Sequence, residues 1–311
     1  MPADPTPCGP LDWSREGATW PNRGTSRFVE AAGLVWHVQV AGSGPVALLI
    51  HGTGASTHSW RDLMPLLARR FTVVAPDLPG HAFTQRGAAN RTSLPGMAAG
   101  VAALMARLGL TPSIVVGHSA GAAVLVRLCL DRVIRPEGIV SLNGALLPIG
   151  GVAGQVFSPL ARMLASSSMA SRLFARHAAE RGVVQRMIAQ TGSRLDAVGL
   201  DFYTRLARNP MHTAGALAMM AGWDLMGLER ELPRLTVPLV LAVGGRDQTI
   251  KPDDALKVRD LVPGSTIEYL RGLGHLAHEE KPALIADLIE RYASSWGVAD
   301  DVGSNQTGRT A

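Results

Sequence analysis

The sequence predicts an α/β fold in which helices cover both faces of a mostly parallel β-sheet. Short apolar runs alternate with longer segments of helical periodicity, and most of the runs have no polar side that could face water. Strands that are apolar on both faces are typical of parallel sheets with helical connections. The 311 residues are 47% hydrophobic and only 18% charged, so the chain can bury a large core and is not a disordered one.

The elements can be assigned in order along the chain. Residues 1–24 are rich in Pro, Gly and polar side chains, which predicts an irregular arm. Over 27–40, two strand-like runs flank Ala32-Gly33, which indicates a hairpin. The remaining pattern predicts strands at 46–50, 71–75, 114–117, 138–142, 239–243 and 266–270, and helices at 60–69, 97–108, 120–130, 253–261 and 282–296.

The segment 144–233 interrupts this alternation, because it lacks strand-like runs and has a helical pattern. We expect it to be a helical cap inserted into a core built from 25–143 and 234–297, with 298–311 as a flexible tail. Seven of the eleven methionines fall in the cap, and methionine suits irregular apolar surfaces. The cap either packs on a core of its own or forms a lid over an apolar pocket, and the two interpretations are compatible. Its candidate pocket residues are Met163, Met219 and Met220.

An uncharged stretch from Gly138 to Ala161 has the length of a membrane span but not its composition. It contains Asn143, two prolines and several glycines. A spanning helix must satisfy every backbone group internally, and these residues would break it. We therefore expect a buried strand at 138–142 that leads into a flexible apolar segment. Contact with a membrane surface stays open, whereas crossing is not expected.

Charge and cysteine content limit the expected partners and compartment. The formal charge of +5 comes mainly from arginines scattered along the chain, and the absence of a basic run argues against nucleic acid. The two cysteines, Cys8 and Cys129, are too few for a disulfide framework and indicate a reducing compartment. The first ten residues lack the apolar stretch of a signal peptide, so we expect a cytoplasmic protein.

The pentapeptide Gly117-His118-Ser119-Ala120-Gly121 lies between a predicted strand and a predicted helix and matches G-x-S-x-G. In that context the pattern predicts a nucleophile elbow, a strand-to-helix turn so tight that small residues must flank the serine. The turn exposes the serine Oγ above the sheet, and the N-terminus of the following helix stabilises negative charge. Ser119 is therefore the candidate nucleophile, with a plain tight turn as the alternative.

A serine nucleophile needs a base, and the base needs an acid that orients it. Asp247 follows the predicted strand 239–243 in a Gly-Gly-Arg-Asp sequence, and His275 follows the strand 266–270 in Gly-Leu-Gly-His. The carboxyl ends of parallel strands share one edge of the sheet, where ligands bind, and the expected chain order is Ser, acid, His. Asp247 and His275 are the candidate acid and base, and His278 is the rival base.

The negative charge that develops on a substrate oxygen needs hydrogen-bond donors. A Gly-rich sequence at 51–54 directly follows the strand 46–50, which makes the backbone N–H groups of Thr53 and Ala120 the candidate oxyanion hole. The alternatives are a Gly-rich turn without a ligand and a phosphate loop, and the second fails because no Gly-Lys-Ser/Thr follows. Further candidates for the substrate pocket are His51, His118 and Asn143.

No metal site or cofactor is predicted. The nine histidines are dispersed along the chain. The pair His275-x-x-His278 has neither a helical pattern nor a third ligand, both of which a zinc site would need. The expected chemistry is that of a serine nucleophile alone.

Together these motifs resemble the α/β-hydrolase superfamily, over residues 27–296. One departure is Ala82, which stands where many members have glycine. The resemblance implies the α/β-hydrolase fold with an inserted helical lid. It rests on His51-Gly52, Asp77-Leu78-Pro79-Gly80-His81, Gly117-His118-Ser119-Ala120-Gly121, Gly244-Gly245-Arg246-Asp247 and Gly274-His275.

Three further parts of the sequence carry a narrower resemblance: Trp20-Pro21-Asn22-Arg23, the segment from Leu49 to Leu63, and the segment from Gly274 to Glu280. In these parts the chain is similar to the family of magnesium-chelatase accessory proteins of bacteriochlorophyll synthesis. It implies a role near magnesium insertion into protoporphyrin IX, with magnesium chelatase or a tetrapyrrole as partner. It does not imply a defined reaction.

Two classes of function are therefore weighed. In the first, Ser119 attacks an ester carbonyl, His275 takes its proton and Asp247 holds the imidazole. The methionine-rich cap favours a bulky apolar ester, such as a tetrapyrrole derivative, and a generic carboxylesterase is a variant of this class. In the second, the chain is a non-catalytic accessory that binds a porphyrin or the chelatase. A serine at 119 argues against dehalogenase and epoxide hydrolase chemistry, which needs a carboxylate nucleophile.

Overall fold

The computed structural model describes residues 10–148, 168–178, 180 and 182–298. Within these ranges the strands form one eight-stranded sheet. The strands β1 to β8 are, in chain order, Ser26–Ala31, Leu34–Ala41, Val46–Ile50, Thr72–Pro76, Ile114–His118, Gly138–Leu142, Leu239–Gly244 and Thr266–Leu270. Their order across the sheet is β1-β2-β4-β3-β5-β6-β7-β8. The pairs β1–β2 and β2–β4 are antiparallel and the others are parallel.

Helices cover both faces of this sheet. The described helices α1 to α12 are, in chain order, Trp13–Glu16, Leu63–Leu67, Leu94–Leu108, Ala120–Leu130, Ser168–Ala178, Val183–Gln190, Ala197–Arg208, Pro210–Gly222, Met226–Glu231, Asp254–Leu261, Ala277–Glu280 and Pro282–Ser295. Leu48 of β3 packs in one buried cluster with α3, α4 and α10, and its neighbour Leu49 packs in a second with α2 and α12. Successive side chains of a strand point to opposite faces, so both faces are buried. The predicted fold class is confirmed.

Two helices begin where the sequence pattern did not predict. The helix predicted at 60–69 is a 3₁₀ turn at Thr57–Trp60 followed by α2. Pro65 explains the late start, because a proline lacks the N–H group and is tolerated only in the first turn. The helix predicted at 97–108 begins earlier, at Leu94. The Ser93 side chain accepts the Gly96 N–H group at 3.3 Å and caps that first turn.

The described part of the N-terminal arm is docked on the rest of the molecule. Trp20 is buried, and its indole Nε1–H donates to Thr57 Oγ1 at 3.1 Å. The Leu11 N–H group donates to the Ala82 carbonyl at 3.0 Å. Phe83 and Phe202 pack against Trp20. The arm therefore joins the loop after β4 to helix α7.

Helices α5 to α9 lie in the chain between β6 and β7. A buried charged group joins α7 to the core: Glu279 accepts from Arg61 at 2.5 Å and from the Tyr203 hydroxyl at 2.7 Å. That these helices act as a lid stays a prediction. The strand expected at 138–142 is present and fully buried, whereas Met163 and the flexible apolar segment predicted beyond residue 148 lie outside the described residues. Among the residues described, no helix is long and apolar enough to cross a membrane.

Burial lowers the pKa of six of the buried histidines, to about 4 for His212 and to about 3 for His278. Their rings are therefore neutral at pH 7. Within the described chain these residues are His51, His58, His81, His118, His212 and His278.

We expect the free energy of unfolding to fall as the pH drops from about 6.5 toward 4. Each buried imidazole has a lower pKa in the folded chain than in the unfolded chain, so the unfolded chain binds more protons over this interval. One such site changes the free energy of unfolding by up to about 1.4 kcal/mol per pH unit. Denaturant unfolding at a series of pH values measures this slope.

His278→Phe should flatten that slope by one proton without destabilising the fold at pH 7. Neither ring nitrogen of His278 has a hydrogen-bond partner among the described residues, so an apolar ring of similar shape loses no bond. The matched control is Leu284→Phe at an exposed position, which introduces the same ring without removing an imidazole and should leave the slope unchanged. An unchanged slope in His278→Phe would contradict the assignment of a buried neutral ring.

Candidate active site

Ser119 lies in a strained turn between β5 and α4. Its φ of 51° and ψ of −120° are unfavourable for a residue with a side chain. A Cβ atom added to Gly121 would collide with the Ile50 carbonyl oxygen, and one added to Gly117 would come within 2.5 Å of Ala122 Cα. The close backbone approach therefore requires glycine on both sides of the serine. This is the geometry that defines a nucleophile elbow.

Hydrogen bonds from β6 and the segment after it hold the elbow. The Ser119 N–H group donates to the Leu142 carbonyl, and the Ser119 carbonyl accepts from the Ala145 N–H group, both at 3.0 Å. The side chain of Ser119 is partly exposed, and its Oγ makes no hydrogen bond within the described residues. A Cβ atom on Gly52 would lie 2.9 Å from Ser119 Cβ, so the loop after β3 lies against the serine.

Asp247 and His275 meet at the carboxyl edge of the sheet. His275 Nδ1 and Asp247 Oδ2 are 2.7 Å apart, and both side chains are buried. The other carboxylate oxygen accepts the N–H groups of Thr249 at 2.7 Å and Ile250 at 3.0 Å. Because a carboxylate with these donors only accepts, the proton of the imidazole is on Nδ1. The Nε2 atom keeps a free lone pair, since no described residue bonds to it.

The backbone of His275 is held by two side chains that the sequence suggested for the pocket. The His275 carbonyl accepts from Asn143 Nδ2 at 2.8 Å and from His118 Nε2 at 3.0 Å. Asn143 Oδ1 accepts the Gly244 N–H group at 2.6 Å, and Asn143 has a φ of 47°. His118 and Asn143 thus tie the ends of β5, β6 and β7 to the loop that carries His275. Sequence reasoning did not find this role.

The structure favours His275 over His278 as the base. The ring of His278 is buried between the rings of Trp60 and His118, at centroid distances of 4.7 and 4.5 Å. The nearest carboxylate oxygen, on Glu279, is 4.0 Å away, which is too far for a hydrogen bond. His278 therefore has no described acid to orient it.

The predicted oxyanion donors are unused. Within the described residues, neither the Thr53 N–H group nor the Ala120 N–H group donates a hydrogen bond. The loops that carry them are in contact, because Gly121 packs against the carbonyl groups of Ile50 and His51. Two free N–H groups beside a serine Oγ are what an oxyanion hole needs, and the assignment stays a prediction.

Two buried histidines hold the loop that carries Thr53. His51 donates from Nδ1 to the Gly52 carbonyl at 2.8 Å, and its Nε2 accepts the Leu78 N–H group at 2.9 Å. His212 of α8 lies 3.1 Å from the Gly54 carbonyl through Nε2. The side chain of His51, a candidate for the pocket, is thus used to fix the loop.

Ala82, which departs from the superfamily pattern, has a φ of 41°. That conformation favours glycine, which explains why a residue with a side chain is unusual at this place. The Ala82 N–H group donates to His212 Nδ1 at 3.0 Å. Together with the bond from Leu11, this holds the strained residue in place.

Helix α8 places a methionine against the segment 51–54, which carries the candidate oxyanion donor Thr53. Met219 is fully buried, and its Sδ accepts from the Thr53 hydroxyl at 3.4 Å. Met220 is half-buried. Met163, the third candidate, lies outside the described residues.

A cavity of about 490 Å³ opens at the carboxyl ends of β6 and β7. Its described walls include Asn143, Leu146 and Ile250, but not Ser119 or His275. The cavity therefore lies beside the candidate triad and not directly over it.

The sequence of this chain is similar to a known protein family and to a known relative. The alpha/beta hydrolase family model matches residues 47–288. The chain is also 39% identical over 264 residues to the magnesium-chelatase 30 kDa subunit of Rhodobacter capsulatus. That match covers 84% of this chain and 92% of the relative. Both resemblances identified from the sequence are thereby confirmed.

Solved structures with low sequence identity show the same fold. The epoxide hydrolase CorEH has a TM-score of 0.75 at 21% identity, with 87% of this chain and 99% of that chain covered. A thermophilic esterase from Thermogutta terrifontis has a TM-score of 0.68 at 21% identity, with 87% and 98% covered. At such identities the likeness concerns the fold and not the activity. The family model and the magnesium-chelatase relative establish that the chain belongs to the alpha/beta hydrolase family.

Proposed function

We propose that this chain is a serine hydrolase that cleaves a carboxylic ester. The observation that carries the proposal is the arrangement at one sheet edge. A strained serine follows β5, and a buried Asp247–His275 pair is formed by the loops after β7 and β8, so all three residues follow the carboxyl ends of parallel strands. The N–H groups of Thr53 and Ala120 donate no hydrogen bond within the described residues. A protein that only bound a ligand would not need the strain at Ser119.

The reaction would proceed in two acyl-transfer steps. As Ser119 Oγ bonds to the ester carbonyl carbon, its proton moves to His275 Nε2, and Asp247 stabilises the imidazolium. The oxyanion accepts from the N–H groups of Thr53 and Ala120. When the intermediate collapses, the C–O bond to the alcohol breaks and the alcohol takes the proton. Water then repeats the sequence on the acyl-enzyme and releases the carboxylic acid.

A bulky apolar ester is the proposed substrate class. Met219 lies against the Thr53 hydroxyl, and Met220 follows it on the same helix. Thioether side chains adapt to irregular apolar surfaces, which suits a large ligand. An ester of a tetrapyrrole would have this character.

A role with magnesium chelatase is the second proposal, and the 39% identity to a magnesium-chelatase subunit over most of both chains favours it. We infer that the chain acts as an accessory to that enzyme in bacteriochlorophyll synthesis, by contact with the chelatase or by binding its tetrapyrrole. The two proposals are compatible if the hydrolase site binds the tetrapyrrole. If the site only binds the tetrapyrrole, the hydrolase proposal fails and the accessory proposal stands.

Labelling with a fluorophosphonate, followed by intact mass, tests the first proposal. We expect one adduct per chain in the wild type and none in Ser119→Ala. The reagent traps an activated serine by forming a bond from Oγ to phosphorus as fluoride leaves. Absence of an adduct in folded wild-type protein would contradict the proposal.

Ser26→Ala is a matched control for that experiment. Ser26 Oγ is 2.9 Å from His37 Nε2, and His37 Nδ1 is 2.7 Å from Asp77 Oδ2, so a serine, a histidine and an aspartate are joined by hydrogen bonds away from the candidate site. Ser26, however, is in an extended conformation with a φ of −73°, outside any elbow. The variant should be labelled like the wild type. Loss of the adduct in Ser26→Ala would indicate that the reagent labels Ser26, which would contradict the assignment of Ser119 as the nucleophile.

Asp247→Asn should slow labelling by on the order of 10³- to 10⁴-fold, because an amide cannot hold the same imidazole tautomer or stabilise its charge. His278→Phe should be labelled at the wild-type rate, because its ring has no described contact with the acid. Rates from quenched time courses measure both. A large loss in His278→Phe with Asp247→Asn unaffected would make the rival histidine the base.

Titration with protoporphyrin IX tests the accessory proposal, with quenching of tryptophan fluorescence as the readout. We expect saturable binding that Ser119→Ala retains, because the serine hydroxyl is a small part of any such contact surface. Free tryptophan at the same concentration corrects for absorption by the porphyrin. Quenching no larger than that of free tryptophan would contradict porphyrin binding. Direct contact with the chelatase is then tested by a pull-down with the purified chelatase subunits.

A further inference from the structure

We propose that the turn Thr191-Gly192-Ser193, between α6 and α7, is the element that positions the acid and the base against each other. This inference rests on the proposed hydrolase function and deepens it. The turn belongs to the helices inserted between β6 and β7. It lies more than fifty residues before Asp247 in the chain, so only the folded structure brings it to the site.

One carbonyl group of this turn joins the loop that carries Asp247 to the loop that carries His275. The Thr191 carbonyl oxygen accepts the Gln248 N–H group at 3.2 Å and the His275 N–H group at 3.3 Å. Gln248 directly follows Asp247, so one donor belongs to the residue after the acid and the other to the base itself. The Thr191 hydroxyl donates to the Ile188 carbonyl at 2.6 Å, which fixes the turn on α6.

Ser193 secures the residue after the base. Its Oγ accepts the Leu276 N–H group at 2.8 Å, and the serine is 2% exposed. A buried backbone N–H group without an acceptor would cost the folded state free energy, so this hydroxyl has a structural use. The two bonds from the turn hold the backbone of His275 on its N-terminal and C-terminal sides.

The turn can approach the two loops closely because glycine stands at Gly192 in the turn and at Gly274 in the loop that carries His275. Gly192 has a φ of +80°, and a Cβ atom there would collide with the Arg246 carbonyl oxygen. A Cβ atom on Gly274 would collide with the backbone of Gly192. The turn therefore packs backbone against backbone on both loops, where a larger residue would separate them.

The base is thus clamped between the sheet and the inserted helices. Asn143 and His118 hold its carbonyl from the sheet, and the turn holds its N–H group from the other side. A displacement of α6 and α7 would move His275 relative to Asp247. A misplacement of about 1 Å can cost about 10²-fold in rate, so the turn controls the competence of the site without touching substrate. Ser193 and Gly192 are positioning residues.

Ser193→Ala tests the inference through the rate of fluorophosphonate labelling at Ser119. We expect labelling about tenfold slower than in the wild type, which corresponds to a displacement smaller than 1 Å. The matched control is Thr204→Ala, which removes a hydroxyl of α7 that bonds only its own helix, to the Leu200 carbonyl at 2.7 Å. That control should be labelled at the wild-type rate.

Gly192→Ala is the second variant, with Gly227→Ala as its control. A Cβ atom on Gly227 would meet no atom within 4 Å. We expect at least the loss seen in Ser193→Ala for the first and no change for the second. Equal rates in the wild type, Ser193→Ala and Gly192→Ala would overturn the inference.

The low-field proton resonance of His275 Nδ1–H provides a readout that a purely structural role would not change. In Ser193→Ala we expect this resonance to shift or broaden at temperatures well below the thermal unfolding midpoint of that variant, whereas in Thr204→Ala it should keep its wild-type position. An unchanged resonance would overturn the inference even if labelling slowed. If the wild type is not labelled but the resonance changes in Ser193→Ala, the positioning inference stands and the proposed hydrolase function fails.

Discussion

The hydrogen bond between His275 and Asp247 constrains the rest of the candidate site. Its two residues lie on loops that follow different strands, and its 2.7 Å length survives only if both loops are fixed. The backbone N–H groups of Thr249 and Ile250 donate to the carboxylate. Asn143 and His118 hold His275 from the sheet, and the turn at 191–193 holds it from the inserted helices. Several buried polar groups of the fold therefore hold the His275 imidazole in place.

Residue types alone do not make such a site. Ser26, His37 and Asp77 form the same chain of hydrogen bonds as a catalytic triad, with distances of 2.9 and 2.7 Å. What separates Ser119 from Ser26 is its backbone. Ser119 has a positive φ at the start of a helix, with unused N–H groups beside it, whereas Ser26 lies in an ordinary extended conformation at the start of a strand. The strained turn and the free donors are therefore the features that support hydrolase chemistry.

Much of the fold was predictable, because strand and helix periods and the glycine pattern of the elbow are local properties of the sequence. The strand at 138–142 and the order Ser119, Asp247, His275 needed no tertiary information. The roles of Asn143 and of the turn at 191–193 needed tertiary information, since their partners lie about 60 to 130 residues away in the chain. The late start of α2 had a local signal, Pro65, that the apolar pattern of its neighbours obscured. Met163 falls outside the described residues, so its predicted place in the pocket has no structural counterpart.

A crystal structure of the phosphonylated protein tests the central claim most directly, because it records the nucleophile, the base and the oxyanion donors together. The account predicts phosphorus bonded to Ser119 Oγ and the phosphonyl oxygen about 3 Å from the N–H groups of Thr53 and Ala120. It also predicts His275 Nε2 facing Oγ, with its bond to Asp247 intact. Phosphorus on another residue, or a phosphonyl oxygen directed away from both N–H groups, would contradict the account.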